Sequence, residues 1–191
     1  MDRNIWLDGI MGLVVADALG VPVEFRSRES LKDDPVVDMR EYGTYNLPKG
    51  SWSDDSSMTL ATLDNLKGGY DPEDMIRRFS QWMQNGDYTP YGECFDIGNG
   101  TCKAIFRYMR GEKAVLCGGI GPYDNGNGSL MRILPVCLYF YEKQKKEKLS
   151  DEEVLCEIHR VSALTHGHYR SCIACGLYFF MVRSVLDEKK L

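Results

Sequence analysis

Apolar residues along this chain recur at helical spacing, and no stretch sustains the apolar–polar alternation of a half-buried strand. With no strand-turn-strand signal either, the layers available to pack are helices on helices, so a compact, all-α, multi-helix fold is expected. From Ile5 to Leu19 the spacing predicts a helix, with Gly20 placed to close it in a left-handed cap. A second helix is expected after Asp55, carrying Met58, Leu60, Ala61, Leu63 and Leu66 as far as Gly68-Gly69. Asp71-Pro72-Glu73-Asp74 opens a third, running to about Gln84, with a capping aspartate, proline in the first turn and acids facing the positive end of the helix dipole. A fourth spans Gly98 to Arg110 and stops at Gly111. Cys117 to Gly128 is too rich in glycine for anything but loop. Helical spacing resumes from Ser129 to Glu142, where Pro135 is expected to introduce a kink. Ser150-Asp151-Glu152-Glu153 forms a capping box that starts another helix, and a last one covers Tyr169 to Leu186.

The chain of 191 residues, 43% of them apolar, is long enough to bury a core without disulfides, and residues 1–191 read as one domain. A net charge of -5 and a pI near 5.3 argue against a binder of phosphate backbones, so no nucleic-acid partner is expected. The basic run Lys143-Gln144-Lys145-Lys146-Glu147-Lys148 reads as a solvated loop. Seven cysteines, an odd number set mostly among apolar neighbours, fit reduced thiols. Cys172-Ile173-Ala174-Cys175 has the spacing of a zinc or redox half-site, but the apolar helical run around it favours a buried helix face. Asp8 and Asp17 interrupt the first apolar stretch, so neither a signal peptide nor a membrane span is expected, and the chain is placed in the cytoplasm.

Chemistry concentrates in a few polar segments. Trp52-Ser53-Asp54-Asp55-Ser56-Ser57-Met58 sets two adjacent carboxylates and several hydroxyls at the turn into a helix. Such oxygens suit a hard divalent cation, although an Asp or Ser there also caps the helix. Asp124-Asn125-Gly126-Asn127-Gly128-Ser129 leads into a helix expected near Leu130. Its glycines free backbone N–H groups to cradle a diphosphate, although Asn-Gly pairs more often only turn the chain. Asp17 and Glu24 flank the end of the first helix, where an acid on an apolar face calls for a polar partner. Asp96 is a further acid, with helix capping as its ordinary role. His166 and His168 could orient a phosphate or a carboxylate.

Taken together and in this order, the segments resemble the ADP-ribosylglycohydrolase family, of the dinitrogenase-reductase-activating type. The matching motifs are Gly-x-x-x-x-Asp-Ala-Leu-Gly from Gly12 to Gly20, Trp-Ser-Asp-Asp-Ser at 52–56, Asp-Ile-Gly at 96–98, Gly-Asn-Gly-Ser-Leu-Met-Arg at 126–132 and Thr-His at 165–166. The resemblance implies an all-helical fold, two Mg²⁺ or Mn²⁺ ions, and hydrolysis of the bond joining ADP-ribose to a protein side chain. By the same resemblance Ser53, Asp54 and Asp55 are metal ligands, and Asp96 and Glu24 are the acids beside the reacting ribose. Asn127, Gly128, Ser129 and Met131 line the diphosphate and adjoining ribose, Tyr123 packs on a ring, and His166 supports the site. The family's second ligand cluster, Asp-x-Asp-Thr near the C-terminus, has no counterpart here, which implies a C-terminally truncated member. Its expected partners are an ADP-ribosylated protein or ADP-ribose itself, with self-association or a complementing chain to complete the site. The alternative function is a catalytically inactive member that binds ADP-ribose or a related nucleotide.

Overall fold

The structure, a computed structural model, describes residues 4–187; residues 1–3 and 188–191 of the expected domain lie outside the described part. Eight α-helices follow in order: α1 (Ile5–Gly20), α2 (Arg28–Asp33), α3 (Asp54–Gly68), α4 (Pro72–Asn85), α5 (Asn99–Met109), α6 (Leu134–Glu147), α7 (Asp151–Ala163) and α8 (Tyr169–Leu186). Two short 3-10 turns, Val21–Val23 and Ala114–Leu116, complete the regular structure. Among the described residues the only β pairing is a single bridge between Gly119 and His166.

The core is centred on α3, which packs on α4 and α6, and extends through residues of α5, α7 and α8. On α4, Met75, Ile76, Phe79 and Trp82 fall on one face and are fully buried. Each such side chain contributes about 1.5–3 kcal/mol of burial energy. The helix begins where Asp71 accepts a hydrogen bond from the Glu73 N–H ahead of Pro72, and ends at Gly86, whose φ of 72° is left-handed. No other residue fits at Gly86, because a Cβ there would lie 2.0 Å from the Gly92 carbonyl oxygen. The Ser150 capping box forms as expected: its hydroxyl accepts from the Glu153 N–H, and the Glu153 carboxylate accepts from the Ser150 N–H. Cys175 is buried on α8, in line with the helix-face reading of Cys172 and Cys175.

Several local expectations change. Gly20 is not a left-handed cap: its φ of -76° and ψ of -41° carry the chain straight from α1 into the 3-10 turn. Pro135 does not kink a helix but opens one, because α6 starts at Leu134 and proline occupies its first turn, where a missing N–H costs nothing. The segment Ser129–Arg132 is turn rather than helix. The basic run is helical as far as Glu147, with Lys148 in the left-handed conformation behind it. There the lysines sit at the negative end of the helix dipole, which offsets their mutual repulsion. The short α2 has no apolar periodicity and so carries no helix signal in sequence; Ser27 caps it by accepting from the Ser30 N–H.

The stretch Ile5–Val23 is long and apolar enough, by length and composition, to cross a membrane. Leu7, Met11 and Val15 of α1, and Ile173, Leu177, Met181 and Val185 of α8, form exposed apolar rows at four-residue intervals. Asp17, near the end of that stretch, is bound instead to the start of α3, and this join positions the functional site.

Candidate active site

The Asp17 carboxylate sits at the N-terminus of α3 and collects four donors. Ser53 N and Ser56 N reach Oδ2 at 3.0 and 3.1 Å, the Ser56 hydroxyl reaches Oδ2 at 2.5 Å, and the Ser53 hydroxyl reaches Oδ1 at 2.7 Å. An acid on an apolar helix thus finds its polar partner, and the end of α1 is locked to the start of α3. Ser53 is the N-cap of α3, its hydroxyl oxygen accepting from the Asp55 N–H. Asp54 and Asp55 occupy the first turn, next to the positive end of the helix dipole.

A cleft of about 300 Å³ opens in front of them and gathers most of the expected residues: Glu24, Asp54, Asp55, Asp96, Asn127, Gly128, Met131 and His166. Ser53 lines an adjoining cavity with Asp17, Glu24 and Asp55. Two expected residues are elsewhere. Ser129 is fully buried behind the cleft, where its hydroxyl oxygen lies 2.9 Å from Ser162 Oγ and 3.5 Å from Cys175 Sγ. Tyr123 is 96% exposed and does not line the cleft. His168 does not line the cleft; it is the N-cap of α8, its ring accepting from the Arg170 N–H.

The carboxylates crowd one another, and among the described residues no cationic side chain pairs with them. Burial and the neighbouring charges of Asp55, Asp96 and Asp17 push the Asp54 carboxyl up to about 8. Asp55 is raised by burial and by Asp17, and Glu24 by burial and by Asp96. Glu24 Oε2 is buried with no hydrogen-bond partner. Asp96 is not the N-cap of α5, a role that falls to Gly98; it takes a φ of 57° and accepts from the Tyr45 hydroxyl at 2.5 Å. Tyr45 also reaches Glu24, and these two acids raise its phenol together with burial.

Tyr45 was not legible as a site residue. It arrives on a loop that hugs the 3-10 turn so closely that a Cβ on Gly43 would lie 1.9 Å from the Pro22 carbonyl oxygen. Thr44 fastens the same loop, donating its N–H to Pro22 O at 3.1 Å and its hydroxyl to Glu24 O at 2.7 Å. Only the tight Gly-Thr-Tyr turn at 43–45 could have signalled it.

The opposite wall is built to receive negative charge. The glycine-rich loop was expected to work with the helix that follows it, but α6 starts six residues after Gly128. The helix end lining the cleft is that of α5, with Gly98, Asn99, Gly100 and Thr101. Gly98 supplies no side-chain cap, which leaves the first N–H groups of α5 to a ligand. Thr101 Oγ1 is buried and unpartnered on the same wall. The loop is held in place by Gly118 N to Ala163 O at 2.8 Å, Gly167 N to Gly119 O at 3.0 Å and the Ser171 hydroxyl to Gly126 O at 3.2 Å. A carboxylate wall thus faces a donor wall across one small cleft.

Residues 3–191 match the family model described as ADP-ribosylglycohydrolase. The chain belongs to the ADP-ribosylglycohydrolase family. Among relatives within and near the family, it is 33% identical over 132 residues to ADP-ribosylarginine hydrolase Tri1 of Pseudomonas putida, covering 68% of this chain and 34% of that protein. It is 32% identical over 139 residues to ADP-ribosyl-[dinitrogen reductase] glycohydrolase of Rhodospirillum rubrum, covering 69% of this chain and 43% of the relative. A solved structure titled ADP-ribosylglycohydrolase-related protein complex superposes with a TM-score of 0.76 at 27% identity, covering 95% of this chain and 56% of that one. The chain therefore spans less than half the length of these two curated relatives.

Proposed function

We propose that the cleft binds ADP-ribose and that the chain takes part in hydrolysing the glycosidic bond between ADP-ribose and a protein side chain. The observation that carries this reading is the pairing of two walls: buried carboxylates on one side, and the uncapped start of α5 with the Gly126–Gly128 loop on the other. A diphosphate suits the donor wall, which leaves the ribose against the acids. Family membership and the names of the relatives support the same substrate class, with arginine as the linkage one of them names.

In this reading Glu24 handles the proton. Its buried, unpartnered Oε2 is free to accept from an attacking water, and its raised pKa favours holding that proton and passing it to the departing side chain. Asp96, held by Tyr45, stays in place beside the reacting carbon and stabilises the positive charge that develops on the ribose as the bond breaks. The donor wall anchors the far end of the ligand, so that the anomeric carbon rests near Glu24.

The chemistry of the carboxylate wall also suits Mg²⁺ or Mn²⁺: hard oxygen donors whose mutual repulsion a cation would relieve. Among the described residues no group of three or more His, Cys, Asp or Glu is arranged to hold a metal ion. Asp54 and Asp55, with Ser53 beside them, thus fit as part of a coordination shell that ligand oxygens, water or another polypeptide segment would complete. When bound, such ions would orient the ribose hydroxyls and polarise a water.

The incomplete shell favours a second reading, in which the chain binds ADP-ribose without turning it over. Release of ADP-ribose from an arginine-ADP-ribosylated protein, followed with Mg²⁺, with Mn²⁺ and with chelator, separates the two. Hydrolysis lost in Glu24→Gln by about 10²-fold or more supports the enzyme. ADP-ribose binding with no release in either metal supports the binding module. Absence of both activity and ADP-ribose binding would sink the proposal.

A further inference from the structure

Arg132 is fully buried, and its guanidinium lies over the Phe79 ring, 4.5 Å from the centroid. Its Nη2 donates to Val161 O at 3.2 Å and to Thr165 Oγ1 at 2.9 Å, while Nε and Nη1 have no partner. Among the described residues no carboxylate pairs with it, and burial lowers its pKa to about 10. An unpaired buried cation is costly, and an apolar side chain of similar volume would pack on Phe79 without that cost. What the guanidinium adds is a donor that can never accept.

That property decides the protonation of the neighbouring histidine. Thr165 Oγ1 is buried and has two partners: Arg132 Nη2, and His166 Nδ1 at 3.0 Å. The guanidinium occupies a lone pair of the hydroxyl oxygen and offers no site for the hydroxyl proton. The proton's remaining acceptor is His166 Nδ1, and a ring nitrogen that accepts carries no hydrogen, so the imidazole hydrogen sits on Nε2. The reverse tautomer would leave a buried hydroxyl proton without an acceptor. Burial and the charge of Arg132 also hold His166 down at about 4, outweighing the opposing pull of Asp124, so the ring is neutral.

The backbone at His166 is fixed and its ring lines the cleft. His166 N donates to Ser162 O at 2.8 Å, and its carbonyl accepts from the Ser162 hydroxyl at 3.0 Å. On the cleft side, a Cβ at Gly100 would lie 2.9 Å from Nε2 and one at Gly128 3.3 Å from it. The two glycines therefore keep clear the space into which Nε2 points.

We infer that Arg132 and Thr165 are positioning residues that hold His166 as the neutral Nε2–H tautomer, presenting one N–H donor to an oxygen of the ligand in the cleft. The nature of that ligand rests on the function proposed above; the tautomer does not. A phosphate oxygen is the acceptor that fits, because the uncapped start of α5 shares the same wall.

Long-range ¹H–¹⁵N spectra of the imidazoles test this on the intact 191-residue chain, whose three histidines are few enough to assign with a His166→Gln variant. At neutral pH, His166 is expected to show an unprotonated Nδ1 and a protonated Nε2. Thr165→Val, which keeps the shape and removes the hydroxyl, should populate the Nδ1–H form, and Thr165→Ser should restore the original spectrum. Arg132→Met should weaken the preference in the same direction; should that variant not fold, the Thr165 pair still decides. An Nδ1–H or doubly protonated ring in the unaltered chain, or a Thr165→Val spectrum identical to it, overturns the inference. ADP-ribose titrated into the same samples should shift the Nε2–H signal, with affinity falling about tenfold in Thr165→Val and holding within about twofold in Thr165→Ser. If the tautomer is found but ADP-ribose does not bind, the proposed function fails and the positioning role stands.

Discussion

The Tyr45 hydroxyl donates to Asp96 Oδ1 over 2.5 Å, joining residues 51 positions apart in sequence. The same phenol reaches Glu24 and lowers its pKa against the stronger upward pull of burial and Asp96. Tyr45 thus distinguishes two neighbouring carboxylates: Asp96 accepts its proton, while Glu24 keeps Oε2 without a partner among the described residues.

Replacing Tyr45 with phenylalanine removes that donor and little else. Glu24 should then rise further, and the acidic limb of the pH–rate profile should move to higher pH, because more alkali is needed to ionise it. At neutral pH hydrolysis should fall about tenfold, the worth of one hydrogen bond to a charged group. Initial rates of ADP-ribose release across the pH range check both. An unmoved acidic limb would mean that Tyr45 does not govern Glu24.

Asp54 makes stability depend on pH in a definite sense. Burial and the neighbouring carboxylates push its folded carboxyl up to about 8, against 3.8 for an ordinary aspartate. Between those values the folded state holds a proton that the unfolded chain has lost, so stability falls as pH rises through that window. The thermal midpoint of the metal-free chain should therefore be lower at about pH 8 than at about pH 5, and Asp54→Asn should flatten the slope. Added Mg²⁺ should recover stability mainly at the alkaline end, since a cation binds the ionised acids. Differential scanning calorimetry at both pH values, with and without Mg²⁺, reads this directly; a flat profile in the unaltered chain contradicts it.

The four donors on Asp17 predict a structural cost rather than a catalytic one. Asp17→Ala strands two backbone N–H groups at the start of α3 and unties α1 from it. A loss of about 2–4 kcal/mol is expected in urea unfolding, allowing for water reaching part of the site. Asp17→Asn keeps the shape and should lose about half as much. Equal losses in the two variants would show that charge, rather than geometry, holds the join.

How far the sequence carries the reader depends on how local each signal is. The helices α3, α4, α5, α7 and α8 were legible because caps and apolar spacing lie within a few residues, as at Asp71-Pro72 and Ser150–Glu153. Pro135 misled because a proline reads alike as a kink or a first turn, and here it sits in the first turn of α6 beside the buried Ile133 and Leu134. In the site, Asp54, Asp55, Glu24, Asp96 and the Gly126–Gly128 loop stood out as polar groups in unusual company. Tyr45 and Thr101 did not, since an isolated Tyr or Thr carries no pattern; Arg132 and Thr165 lay within matched motifs, but their contact with each other, 33 positions apart, was not legible there.

The close approach of Gly100 to His166 separates ligand binding from folding. Gly100 lies in the first turn of α5, where alanine would favour the helix by up to about 1 kcal/mol. Yet its Cβ would stand 2.9 Å from His166 Nε2, inside van der Waals contact, and His166 cannot easily retreat because its backbone is bound on both sides. Gly100→Ala should therefore leave the thermal midpoint within about 4 °C of the unaltered chain while ADP-ribose affinity falls about tenfold or more. Calorimetric titration beside a thermal scan gives both numbers from one preparation. Undiminished affinity would place the ligand away from the His166 edge of the cleft, and a collapse in stability would mean that the glycine serves packing instead of binding.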